Sequence, residues 1–83
     1  MLIKLFSNQC ERCMVVVGML DAQGVVYEYH DINEVERFKA LEEAYNKRKL
    51  VMRPSQPMPV LVQGVMLWEG EDCVIALEEG ELE

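Results

Sequence analysis

Three side chains in this sequence have the chemistry of nucleophiles or soft metal ligands: Cys10, Cys13 and Cys73. The first two form Cys10-Glu11-Arg12-Cys13, a C-x-x-C. That spacing serves either dithiol–disulfide exchange or one half of a zinc site. Zinc wants four ligands. Beyond the pair the chain offers Cys73, a single histidine, His30, and carboxylates; neither a second C-x-x-C nor a histidine pair recurs. An odd cysteine count excludes a disulfide scaffold. Exchange is therefore the favoured reading. The rivals are a metal-binding module using Cys10, Cys13 and Cys73, and a domain whose dithiol is inert.

What such a pair does depends on the elements that hold it. Leu2 to Phe6 reads as a short buried strand, and Ser7-Asn8-Gln9 as a polar break rich in helix-capping residues. Cys13, Val16, Val17 and Leu20 then recur at helical spacing, and Gly24 ends the helix. Val25 to His30 alternates, with Val25, Tyr27 and Tyr29 on one face of a second strand. Asn33 with Glu36 reads as a capping box, and Val35, Phe38, Leu41 and Tyr45 as the stripe of a second helix running to about residue 46–50. Arg53-Pro54-Ser55-Gln56-Pro57-Met58-Pro59 is a proline-rich loop. Val60 to Val62 and Val65 to Trp68 form two strands about a Gln63-Gly64 turn, and a last helix starts near Asp72. The order is β-α-β-α-β-β-α. A right-handed crossover makes the first two strands parallel, and the tight turn makes the last two antiparallel. The expectation is one α/β domain over residues 1–83, a mixed four-stranded sheet flanked by helices.

This places the C-x-x-C past the end of a strand and at the start of a helix. Unpaired N–H groups there carry partial positive charge, which stabilises a thiolate. Cys10 is expected to have a depressed pKa, with Arg12 helping and Glu11 opposing. Cys13 lies one turn on, facing inward. Cys10 is then the attacking sulfur and Cys13 the resolving one.

Composition narrows the setting. An apolar share of 51% with 28% charged residues is globular. The net charge is −7, and from Glu69 to Glu83 there are seven acids and no bases. Nucleic acid is a poor partner for such a chain. No leader-like apolar segment and no run long enough for a membrane span is visible, so a cytoplasmic, monomeric protein is expected.

The strand, the C-x-x-C opening the first helix, the element order and the apolar-Pro-apolar step Met58-Pro59-Val60 together resemble the glutaredoxin branch of the thioredoxin-like superfamily, over essentially the whole chain. The resemblance implies a thiol–disulfide oxidoreductase with Cys10 and Cys13 catalytic and no metal or tightly held cofactor. It implies a cis Met58–Pro59 bond beside the dithiol, with the Met58 N–H and C=O free to pair with a thiol substrate. Gly70 and Asp72 map onto the rest of the implied substrate site, and Arg12, inside the motif, is the cation close to it in sequence. Departures are plain: Glu11-Arg12 stands where the family commonly has Pro-Tyr, Ser7-Asn8-Gln9 lacks the usual Lys or Arg, and Trp68-Glu69-Gly70-Glu71-Asp72 keeps only part of the glutathione-binding Gly-Gly-Asp. Glu11, Glu69, Glu71 and Asp72 are expected around the groove and repel an anionic tripeptide. A disulfide-bearing protein is thus the expected substrate, as for the glutaredoxin-like electron donors to ribonucleotide reductase. Electrons come from glutathione as reductant or from a thioredoxin reductase.

The remaining residues have blander readings. Cys73, on the inward stripe with Val74 and Leu77, is core filler or a third redox thiol. His30 reads as a surface residue at a strand end. Met14 and Met58 form an apolar apron around Cys10. Lys47 to Lys49 form the solvated end of the second helix; one of them, or Arg53, folding back is the alternative source of a cation for glutathione.

Overall fold

The computed structural model describes residues 2–82. Seven elements follow in the expected order: β1 (Ile3–Ser7), α1 (Glu11–Ala22), β2 (Glu28–Asp31), α2 (Val35–Lys47), β3 (Val60–Gln63), β4 (Met66–Glu69) and α3 (Glu71–Glu78). The sheet runs β2-β1-β3-β4. β1 is parallel to β2 and antiparallel to β3, and β3 is antiparallel to β4.

Alternation along the central strands splits the core into two layers. Ile3, Leu5 and Leu61 face one side, where Val16 and Leu20 of α1 and Cys73, Ala76 and Leu77 of α3 cover them together with Trp68. Phe6, Val60 and Val62 face the other, against Leu41 and Tyr45 of α2. Cys13 and Met58 join this second layer. The dithiol therefore stands at the sheet end where β1 leaves and the loop into β3 arrives.

Three local readings are corrected. β2 starts at Glu28, not Val25, because Val25 is held by the closing turn of α1, its N–H donating to Leu20 O at 3.0 Å. The inward face of β2 accordingly belongs to His30, which is buried, while Tyr29 is partly exposed and Val26 is 88% exposed. Alternation shows that the two faces differ, and the pairing of Phe6 with His30 across the parallel ladder goes with the burial of the His30 face. The His30 ring stacks on Phe6 with centroids 4.7 Å apart. Its Nδ1 takes the Arg37 guanidinium at 3.0 Å, so Nε2 is the nitrogen that donates to Glu28, at 2.7 Å.

The second correction is the cap of α2. Asp31 makes the turn instead, with its Oδ1 accepting the Asn33 N–H at 2.9 Å, and Glu34 takes the cap position. Third, the α2 stripe is narrower than expected: Leu41 and Tyr45 are buried, but Val35 is 70% exposed and Phe38 40%.

Candidate active site

The local sequence builds the site in three steps. Ser7, buried at the end of β1, accepts the Gln9 N–H on its Oγ at 2.9 Å, and Gln9 adopts a left-handed φ of 65°. Asn8 Oδ1 accepts the Cys10 N–H at 3.1 Å and faces the Cys13 thiol at 3.3 Å. The chain then enters α1 with Cys10 itself at the N-cap: its Sγ accepts the Cys13 N–H at 3.2 Å. The polar break supplies the turn, and the nucleophile candidate supplies the cap. A sulfur in that position receives an N–H that the helix would otherwise leave unpaired.

Burial separates the two cysteines. Cys10 is partly exposed and Cys13 is wholly buried. Their acidities run opposite to the expectation. Burial pushes the Cys10 thiol up, and the hydrogen bond it shares with Cys13 pushes the same way, against the Cys13 N–H and the Arg12 guanidinium. Burial alone would raise Cys13 as well, but hydrogen bonds from Cys10, Ser7 and the backbone N–H groups of Asn8 and Cys10 outweigh it and hold Cys13 below its ordinary value. The two sulfurs titrate as a pair. The expected depression of Cys10 is therefore corrected in direction: burial and the neighbouring sulfur outweigh the helix N-terminus and Arg12. Access, not acidity, singles out Cys10.

The loop entering β3 closes the other wall. The Met58–Pro59 bond is cis, the isomer the resemblance implied. Met58 O lies 4.0 Å from Cys10 Sγ. It is not free, however: Arg12 Nη1 donates to it at 3.4 Å. Among the described residues the Met58 N–H donates to none. On the far side Pro59 O accepts the Gly70 N–H at 2.8 Å. Gly70 has φ 55° and ψ −123°, and a Cβ there would stand 2.7 Å from Arg12 Nη1 and 3.0 Å from Pro57 Cβ. Arg12 also reaches Glu71, with Nε 3.8 Å from its carboxylate. Arg12, Met58, Pro59 and Gly70 are thus one cluster against the dithiol. Asp72 stands exposed on the first turn of α3.

Two of the charge expectations are corrected. Glu69 is drawn away from the groove: its carboxylate accepts from Tyr45 Oη, from Gln56 Nε2 at 3.0 Å and from Arg53 Nη2 at 2.7 Å. These partners hold it below the ordinary carboxylate value even though burial alone would raise it. Two residues of the basic cluster are engaged away from the dithiol. Arg53 is spent on Glu69, and Arg48 donates to the carbonyls of Ala44 and Gly64. Of the apolar apron, Met14 is 52% exposed while Met58 is buried.

Cys73 is buried under the proline turn, its thiol donating to Pro59 O and Trp68 O, both at 3.3 Å. Burial pushes its pKa up to about 12. Among the described residues no three His, Cys, Asp or Glu side chains converge as a metal-ligand set, and no helix is long and apolar enough to cross a membrane.

No family model matches the sequence, and no curated protein matches it. A solved structure similar to this one is that of NrdH-redoxin, a glutaredoxin-like protein from Escherichia coli with a thioredoxin-like activity profile. The TM-score is 0.64 at 19% sequence identity, over 95% of this chain and 93% of that one. At that identity the likeness concerns architecture: the chain has the thioredoxin-like fold in its glutaredoxin-type form, α/β with a mixed four-stranded sheet and three helices.

Proposed function

We propose that this protein is a dithiol thiol–disulfide oxidoreductase that reduces disulfides in protein segments. The observation that carries the reading is the pairing of a reachable Cys10 Sγ, capping α1 beside the cis-Pro59 turn, with a fully buried Cys13 whose N–H it accepts. An inert dithiol would have no need of one reachable sulfur and one buried sulfur beside the Met58-Pro59 turn.

The chemistry balances with one proton on the pair. Cys10 Sγ attacks one sulfur of the substrate disulfide as the thiolate, while Cys13 keeps its proton. A Cys10–substrate disulfide forms, and the other substrate sulfur leaves as a thiolate. Cys13 Sγ then attacks Cys10 Sγ and passes its proton to the departing substrate sulfur. The Cys10–Cys13 disulfide closes, and the substrate has gained two electrons. A thiol reductant, glutathione or a reductase-type dithiol, returns them.

The charge pattern favours protein over glutathione. Glutathione needs partners for two carboxylates. Arg12 is the cation at the dithiol, already engaged with Met58 O and Glu71, and Arg48 and Arg53 are occupied elsewhere. An extended substrate strand can instead take the Met58 N–H and lay apolar side chains on Met14. The test is reduction of insulin, run once with glutathione plus its reductase and once with thioredoxin reductase. Turnover that depends on Cys10 and Cys13, faster in the second system, supports the reading. No turnover in either refutes it, and a preference for glutathione refutes the partner.

A further inference from the structure

Behind the proline turn lies a polar cluster that the dithiol chemistry does not use. Tyr45 of α2 is 1% exposed. Its hydroxyl donates to Glu69 Oε2 and accepts from Gln56 Nε2. Gln56 also donates to Glu69 Oε2 at 3.0 Å and faces Pro57 O at 3.3 Å. Arg53 Nη2 closes the cluster on Glu69 Oε1 at 2.7 Å. Both Glu69 oxygens are therefore occupied, one by a charge-assisted bond. Burial and the Glu69 carboxylate push the Tyr45 phenol up, so it remains a donor at any working pH.

The placement gives the cluster its meaning. Arg53 and Gln56 belong to the irregular stretch between α2 and β3, which no ladder holds. Glu69 is the last residue of β4, paired with Val60, and the next N–H, from Gly70, donates to Pro59 O at 2.8 Å. One end of β4 thus grips both flanks of Met58-Pro59: Gly70 through the backbone, Glu69 through its side chain. A loop without ladder bonds needs such a clamp to present one backbone edge repeatedly.

We propose that Glu69 is a positioning residue for substrate binding, holding Arg53, Gln56 and Tyr45 so that Met58 presents its backbone edge beside Cys10. The inference rests on the exchange function proposed above and adds to it a residue that touches neither substrate nor dithiol. Glu69 is occupied by its clamp partners and is not an acid of the groove.

The experiment compares two disulfides: a peptide long enough to pair with Met58, and a small aromatic disulfide that needs only access to Cys10. Glu69→Gln keeps the shape and removes the charge. The expected result is KM for the peptide up about tenfold, the order expected for losing a charge-assisted hydrogen bond, with kcat and the small-disulfide rate unchanged within about twofold. Arg53→Met, at a position whose side chain is 58% exposed, keeps the fold safe. It is expected to raise the same KM by less, and the double variant to be no worse than Glu69→Gln alone. Glu69→Asp is expected to recover less than half of the loss, because the carboxylate is drawn back from its partners. Equal losses on both disulfides, or additive effects of Arg53→Met and Glu69→Gln, overturn the inference, as does an unchanged peptide KM in both variants. If the wild-type protein reduces neither disulfide, the exchange function itself fails. If it reduces both and the variants match it, only the positioning role fails.

Discussion

Gly70→Ala probes the junction where the dithiol helix, the proline loop and α3 meet. Gly70 sits at φ 55° and ψ −123°, a region in which an L side chain costs about 1–3 kcal/mol. The added Cβ would meet Arg12 Nη1 at 2.7 Å and Pro57 Cβ at 3.0 Å. The arginine end is flexible and moves aside cheaply; Pro57 belongs to a clamped loop and yields only by shifting it. Against this, alanine lowers the entropy of the unfolded chain by about 0.4–1 kcal/mol. The net loss is about 1–2 kcal/mol, out of roughly 4–12 kcal/mol for a domain of this length. Near the midpoint that is a fall in Tm of roughly 4–16 °C. Urea unfolding followed by Trp68 fluorescence measures it, with an unchanged m-value as the sign that stability alone has moved. The variant also uncovers Met58 O, because Arg12 has lost its place. An alanine variant as stable as the parent, with no change in the midpoint, would refute the backbone reasoning.

Four further outcomes follow from the same geometry. Cys13→Ser removes the shared hydrogen bond and the charge that raise Cys10, so alkylation of Cys10 at neutral pH is expected to quicken a few-fold. Cys73→Ala is expected to leave exchange within twofold and to cost about 1–2 kcal/mol in urea unfolding, the small loss of a buried thiol and its weak hydrogen bonds. The folded pKa of Cys73 lies above its ordinary 9.0, at about 12. Its stabilising effect is therefore complete below about pH 9 and is lost as pH rises toward 12, and the alanine variant should show a flatter alkaline limb in a stability–pH series. Glu69 has the opposite sign: its folded pKa is lowered, so its contribution is present at neutral pH and lost as pH falls through that value. Glu69→Gln should therefore narrow its deficit relative to wild type on acidification. His30→Ala, which empties the stack on Phe6 and leaves Arg37 and Glu28 without their partner, is expected to cost about 2–4 kcal/mol by thermal unfolding.

The sequence made some of this legible and hid the rest for identifiable reasons. Element order and the mixed sheet followed from periodicity and turn chemistry, and the meeting of Cys10 with Pro59 from the resemblance to the glutaredoxin branch. Periodicity and turn chemistry are local signals that tertiary packing left in force. His30 was misplaced because alternation shows that faces differ but not which one is buried; the parallel pairing to β1, starting at Lys4 and Glu28, decides that. Val35 and Phe38 extended the α2 stripe beyond what a four-stranded sheet covers. Glu69 looked like a groove acid because charge counting along a chain knows nothing of Tyr45, which lies 24 residues away and supplies the phenol that turns it inward. An apolar stripe ending in Tyr45, with a lone Arg53 and Gln56 in the loop, was the available signal. The direction of the Cys10 shift was out of reach for a similar reason. Helix position favours its thiolate, but the balance is set by burial and by the neighbouring sulfur.

The central claim is that Cys10 and Cys13 exchange with substrate disulfides in that order. Mass spectrometry of the Cys13→Ser protein, challenged with a peptide disulfide and quenched with acid, tests it most directly. One peptide is expected in disulfide linkage at Cys10 and none at Cys73, whereas the wild-type protein under the same challenge is expected to carry a Cys10–Cys13 disulfide and no peptide. Absence of the adduct at Cys10, or an equally fast adduct at Cys13 in the Cys10→Ser protein, would contradict it.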